Sequence, residues 1–118
     1  MSENDLKRIW DAWDSCRRIL EFTHGISEEA FQDSEILQSA VERQFEICGE
    51  ALGHLRGEEE IEKIVPDLPK IVGLRNRLIH GYDSIDYEML WSVVVQKIPE
   101  LRGQLASVLI GAGIIERD

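Results

Sequence analysis

Cysteine, proline and histidine are scarce in this chain of 118 residues (two, three and three), and positive charge is in deficit. Against 23 Asp and Glu stand only 13 Lys and Arg, a formal net charge of −10. That balance excludes general electrostatic adhesion to nucleic acid or anionic membrane, which needs a basic footprint. A nucleic acid held at one small basic site is still allowed, so where the cations lie matters more than their total. No apolar run is long enough to span a bilayer. The longest, Leu105 to Ile115, is too short and is broken by glycines. The N-terminal MSENDLKRIWDAWD is charged throughout and lacks the apolar core of a signal peptide. Cys16 and Cys48 stand isolated on apolar helix faces and read as small buried hydrophobes, which fits a reducing, cytoplasmic compartment. Cys and His are not clustered at zinc spacings, no His-Glu-x-x-His occurs, and the scattered carboxylates outline no magnesium site, so no metal or other cofactor is predicted. No internal repeat stands out and no stretch alternates like a strand. The chain reads as one all-α domain over residues 1–118.

What is present is helical periodicity. A first helix is predicted from Asn4 or Asp5 to about His24, with Leu6, Ile9, Trp10, Trp13, Cys16 and Leu20 on one stripe, widened by Ile19 and Phe22, and Gly25 as its stop. Trp10 and Trp13, one turn apart, suit a base-stacking platform, but on such a stripe they read rather as core or dimer interface. Ser27 to Asp33 is a short polar connection enclosing Phe31. Asp33 or Ser34 then caps a second helix through Ile36-Leu37, Ala40-Val41, Gln44-Phe45, Cys48, Ala51-Leu52 and Leu55. Gly49 inside it costs about 1 kcal/mol relative to alanine, and a second helix crossing closely is its best explanation. Glu42, Glu46 and Glu50 recur every four residues as a solvated face; alternatively, Glu46 or Glu50 turns inward and holds an arginine of the Arg75–Tyr82 segment.

Arg56-Gly57 stops that helix, and the acidic stretch to residue 65 forms a turn or short helix. Asp67 caps a third helix, roughly Leu68 to His80, with Pro69 in the first turn where a missing N–H is harmless. It carries Ile71, Val72, Leu74, Leu78 and Ile79 inward, and Gly81 follows as a left-handed terminator. Tyr82 to Ile85 is a linker with turn chemistry at Asp83-Ser84. Asp86 caps a fourth helix through Leu90, Trp91, Val94, Val95 and Ile98. Pro99 kinks it or opens a fifth, striped by Leu101, Leu105, Val108 and Leu109, and Gly111-Ala112-Gly113 frays into a charged end. The predicted architecture is an all-α, up-and-down bundle of four to five helices.

Chemistry concentrates in Arg75-Asn76-Arg77-Leu78-Ile79-His80-Gly81-Tyr82. On an ideal helix Arg75 and His80 point about 140° apart, Asn76 and His80 share a face, and Arg77 lies about 60° from His80 on its other side. Arg75 and His80 converge if Arg75 curls round, if the last turn opens at Gly81, or if a second copy of the helix faces the first. These groups suit phosphodiester cleavage in RNA. An imidazole titrating near neutrality can move the proton of a ribose 2′-OH, and a guanidinium can neutralise charge building on the phosphate. The bland reading is that arginines and a histidine merely complement the negative end of a helix. His24 and His54, at helix ends without partners, read as surface residues.

Arg75, four residues, His80, Gly81, Tyr82 resembles the Arg-x4-His-x-Tyr motif of the HEPN superfamily, specifically the HepT-like toxins paired with minimal nucleotidyltransferase (MntA-type) antitoxins. The resemblance extends over nearly the whole chain. Glu42 to Ala51 is similar to that family's second helix with its Glu-x-Ile-Gly-Glu-Ala character, Pro69 to Tyr82 to its third, and the start at Asp86 with the later Pro99-Glu100-Leu101 to its last helices. It implies a helical bundle that forms a homodimer, with both copies of Arg75 and His80 lining a cleft between protomers, and a metal-independent endoribonuclease acting on transfer or messenger RNA. By the same resemblance Arg75 stabilises the transition state, His80 is the acid–base or phosphate-orienting group, Asn76 and Arg77 shape the site, and Tyr82 accepts AMP from the cognate nucleotidyltransferase, which silences the toxin. Lys70, following Pro69, departs from the aromatic residue frequent there. The competing class is a non-catalytic helical module that binds the nucleotidyltransferase and positions its nucleotide or substrate. A pyrophosphohydrolase is disfavoured, because its paired acidic motifs are not placed on successive helices.

Overall fold

A computed structural model describes residues 1–80 and 85–117, without the side chains of Ile79 and His80. The predicted roles of Gly81, Tyr82 and the Asp83-Ser84 turn, and the inward aim of Ile79, lie outside the described residues. Among those described there are seven helices and no strand: α1 Glu3–Thr23, α2 Glu28–Gln32, α3 Glu35–Gly53, α4 Glu59–Ile64, α5 Leu68–His80, α6 Tyr87–Gln96 and α7 Ile98–Gly111. Five are the long helices read from periodicity, α4 is the short helix offered for the acidic stretch, and α2 is an addition. α1 packs along α3 and α7, α3 also carries α5, and α6 lies on α7, giving a slab of 40 × 33 × 19 Å.

Local chemistry explains the boundaries. α1 starts earlier than Asn4 because Ser2 and Asp5 form a reciprocal capping box, each side chain accepting from the other's backbone N–H at 3.1 and 3.3 Å. Gly25 follows with φ of 72°, the left-handed geometry a helix stop requires. The supposed polar connection folds as α2. Ser27 caps it, accepting from Ala30 N–H at 3.1 Å, and Phe31 is fully buried, its ring 5.0 Å from that of Trp91. Ser34, not Asp33, caps α3. Asp67 stands just before α5 and its carbonyl accepts from Ile71 N–H at 2.9 Å, but its carboxylate takes Lys97 Nζ at 3.0 Å, tying α5 to the start of α7. Asp86 caps α6 through Met89 N–H. Pro99 opens α7. The end of α7 does not fray: Gly113 N–H bonds to Ile110 and Ile114 N–H to Leu109, a Schellman closure with Gly113 at φ 73°.

The core collects the predicted stripes, with four exceptions, two of them Trp10 and Phe22 of α1, exposed at 40% and 36%. Ile36 is 86% exposed and Val95 55%, since the 100° step between neighbours lets only Leu37 and Val94 face inward. Cys16 and Cys48 are buried as read, yet they are not isolated. Their sulfurs meet at 3.9 Å between α1 and α3. The neighbouring Cys48 thiol and burial push the Cys16 thiol well above its usual range. No described helix is long and apolar enough to cross a membrane.

Candidate functional site

α5 is where the cations collect without counter-charge. It carries Lys70, Arg75 and Arg77 and no carboxylate, in a chain with 23 acidic residues. Among the described residues neither arginine makes an ion pair. The inward-turning alternative for α3 fails on this point: Glu46 pairs with Arg43 at 3.7 Å, Glu50 is exposed, and Glu42 accepts from the Tyr87 hydroxyl at 3.2 Å. Burial, and then the Glu42 charge and hydrogen bond, raise the Tyr87 phenol above its ordinary value.

Two contacts define how Arg75 is held. Its methylene stem lies on α3 where Gly49 has no side chain. A Cβ built on Gly49 would sit 2.6 Å from Arg75 Cβ and nearer still to Cγ. One turn further along, Gly53 faces Val72 Cγ1 at 3.9 Å, so α3 and α5 run antiparallel past each other with the 49/75 contact as the tight rung. At the other end of the side chain, Nη1 donates to Asn76 Oδ1 at 3.0 Å. Nε is buried with no hydrogen-bond partner among the described residues. The helix is continuous to His80, so it does not open before that residue. Instead the guanidinium bends toward Asn76, the position that shares a face with 80 on a helix. Arg77 is exposed beside them. The structure thus brings Arg75 and Asn76 together and places Arg77 on the same turn; the side chain of His80, and Tyr82, lie outside the description.

The other candidates resolve simply. His24 and His54 are exposed, as read. Trp10 and Trp13 lie on α1, ring centroids 6.1 Å apart, with Trp13 packed against the core and Trp10 40% exposed. Among the described residues no three His, Cys, Asp or Glu gather as a metal-binding group. Sequence reasoning anticipated a close helix crossing at Gly49 but not that Arg75 is what crosses there. Spacing within one helix carries no sign of its partner on another.

Bundle and basic helix together define a small all-α protein that presents guanidinium groups from one carboxylate-free helix. The family described as ribonuclease HepT-like matches residues 13–108. A Methanocaldococcus jannaschii chain, MJ1380, provisionally named an RNase, is 34% identical over 111 residues, covering 92% of this chain and 100% of its own. A Thermococcus cleftensis chain named probable ribonuclease HepT is 33% identical over 96 residues, 80% of this chain and 86% of its own. This chain belongs to the HepT-like ribonuclease family. Its fold is that of a Shewanella oneidensis HEPN toxin solved tri-AMPylated and in complex with an MNT antitoxin, with a TM-score of 0.66 at 18% identity over 92% of this chain and 98% of that one.

Proposed function

We propose that this protein is a metal-independent endoribonuclease, the toxin of a toxin–antitoxin pair, working as a homodimer with Arg75 and His80 of each protomer around one phosphate of transfer or messenger RNA. The observation that carries the reading is Arg75, partly buried and without an ion pair among the described residues, on a helix without carboxylates, in a chain of the HepT-like family. In the proposed reaction His80 takes the 2′-OH proton or delivers one to the departing 5′-oxygen. The 2′-oxygen attacks phosphorus and the P–O5′ bond breaks, leaving a cyclic phosphate and a 5′-hydroxyl. Arg75 neutralises the extra charge on the non-bridging oxygens, where a donor aimed at the transition state is worth about 10²–10³ in rate. Asn76 and Arg77 shape the site, Asn76 by holding Nη1 of Arg75.

The test is RNA cleavage by purified protein in EDTA. Arg75→Ala or His80→Ala should lower it by about 10²–10³-fold or more while helical content stays unchanged, and cleavage undiminished by both substitutions sinks the mechanism.

Neutralisation is assigned to a cognate nucleotidyltransferase antitoxin, through AMP transfer to Tyr82 or by binding. The tri-AMPylated state of the Shewanella toxin in its antitoxin complex supports the first route. An adenylyl group adds bulk and negative charge beside the cleft. Incubated with the nucleotidyltransferase and ATP, Tyr82 should gain the mass of one AMP. Full neutralisation with Tyr82 unmodified would instead indicate steric masking. The net charge of −10 favours the second reading, a non-catalytic module that binds the nucleotidyltransferase and positions its nucleotide or substrate; a protein that cuts no cellular RNA would establish it.

A further inference from the structure

We infer that Gly49 of α3 is a positioning residue for Arg75: its missing side chain is the seat on which the arginine stem rests, and the seat sets where the guanidinium meets the RNA phosphate. The inference rests on the ribonuclease reading for its catalytic consequence, though the seat itself is a matter of packing. Among the described glycines, Gly49 is alone in having a neighbour under 3.4 Å from a notional Cβ, and all three contacts are Arg75 stem carbons, with Cδ at 3.0 Å. Rotation about χ1 can move Cγ and Cδ, but Cβ at 2.6 Å is fixed to the α5 backbone. A methyl at 49 therefore cannot be absorbed by a rotamer change. α5 would have to back off by roughly an ångström to restore ordinary carbon–carbon contact.

Three features make that shift felt at the guanidinium. Gly49 is itself buried and Arg75 half-buried, so the stem lies against a covered part of α3 rather than over open surface. Arg75 Nε is buried without a partner among the described residues, so packing, and not a hydrogen bond, holds that end. Nη1 is tethered to Asn76 on the same helix, so the head moves with α5. A misplacement of about 1 Å at a positioning element can cost roughly a hundred-fold in rate. Gly53 provides an internal control: on the same helix one turn on, its notional Cβ meets Val72 at an ordinary 3.9 Å.

The experiment compares Gly49→Ala with Gly53→Ala in the full-length protein. RNA cleavage under single-turnover conditions, with excess enzyme, reads the chemistry. Solvent exchange of the Arg75 Nε–H by NMR reads the seat without any activity. Gly49→Ala should lower the maximal single-turnover rate by about a hundred-fold with little change in the enzyme concentration that half-saturates it and should make the protected Nε–H exchange freely, whereas Gly53→Ala should do neither. In an Arg75→Gly background, where no Cβ opposes the new methyl, Gly49→Ala should cost no further activity. An equal loss in both backgrounds, or wild-type cleavage by Gly49→Ala, overturns the positioning role. An unchanged Nε–H in Gly49→Ala overturns the seat. Lack of cleavage by the unaltered protein is a different failure, that of the ribonuclease reading, and removes the catalytic consequence while leaving the seat to the NMR result. If Gly49→Ala does not fold, the pair Gly49→Ala/Arg75→Gly, with no side chain opposing the new methyl, should regain the helical signal; failure to do so also overturns the seat.

Discussion

On α1, Arg17 and Arg18 close around the half-buried Asp14; on α5, Arg75 and Arg77 meet no carboxylate among the described residues. Arg17 Nη2 and Nε donate to Asp14 Oδ1 at 2.8 and 3.1 Å, Arg18 Nε to Oδ2 at 2.9 Å, and Arg17 Nη1 reaches Glu21 at 3.1 Å. Three of that carboxylate's roughly four acceptor sites are taken. The α5 pair has the same residue type at almost the same spacing and one neutral tether, Asn76. In a chain of net charge −10, α5 carries its guanidinium groups on a helix with no carboxylate of its own. An arginine satisfied within its own helix stabilises it; one left unsatisfied in a partly buried position retains its bidentate donors for an external anion.

The sharpest way to break this comparison is to truncate one arginine of each kind. Arg75→Ala should reduce cleavage by about 10²–10³-fold or more, while Arg17→Ala should leave it unchanged in the same assay. Equal losses would mean that charge in general, not the α5 geometry, serves the RNA. A finer test makes α5 resemble α1. Asn76→Asp sets a carboxylate against Arg75 Nη1, and cleavage should fall roughly ten- to hundred-fold, the size of a charged hydrogen bond withdrawn from the substrate. Its thermal midpoint should hold or rise, because the new pair stabilises α5. A parallel loss of stability and activity would instead mark Asn76 as a folding residue.

The same contrast explains what the sequence revealed and what it withheld. Helix α5 was legible in outline, roughly Leu68 to His80, because Pro69 and the inward apolar positions report local geometry. Gly49 was legible as a close crossing, since glycine in a helix interior needs a tertiary reason. Its partner was not legible: the 49/75 contact joins two helices, and no periodicity encodes which rung of α5 lies opposite. The Cys16–Cys48 meeting was missed for the same reason. Phe31 was misplaced in a loop because a five-residue helix is too short to show a period, although Ser27 with Glu28 and Glu29 already carried its start signal. The candidate residues Arg75, Asn76 and Arg77 came from chemistry and resemblance, and the structure adds the seat and the tether.

The smallest expected effect lies on the α1 side, where the clamp is purely structural. Burial by itself would raise the Asp14 carboxyl, but hydrogen bonds from Arg17 and Arg18, reinforced by their charges, outweigh it and hold the group below its ordinary 3.8. A carboxyl lowered by folding contributes stability above its unfolded value and loses it as pH falls through the folded one. Both arginines are more than a third exposed, at 39% and 48%, so solvent screens the pair and Asp14→Asn should cost only about 1 kcal/mol at neutral pH. In urea titrations the gap between the unaltered protein and Asp14→Asn should be constant from neutral pH down to about 5, then close as pH drops below 4, with RNA cleavage at neutral pH untouched. A gap that widens in acid would reverse the sign of the clamp. A loss of cleavage would link the α1 arginines to the site after all and erase the distinction between the two pairs.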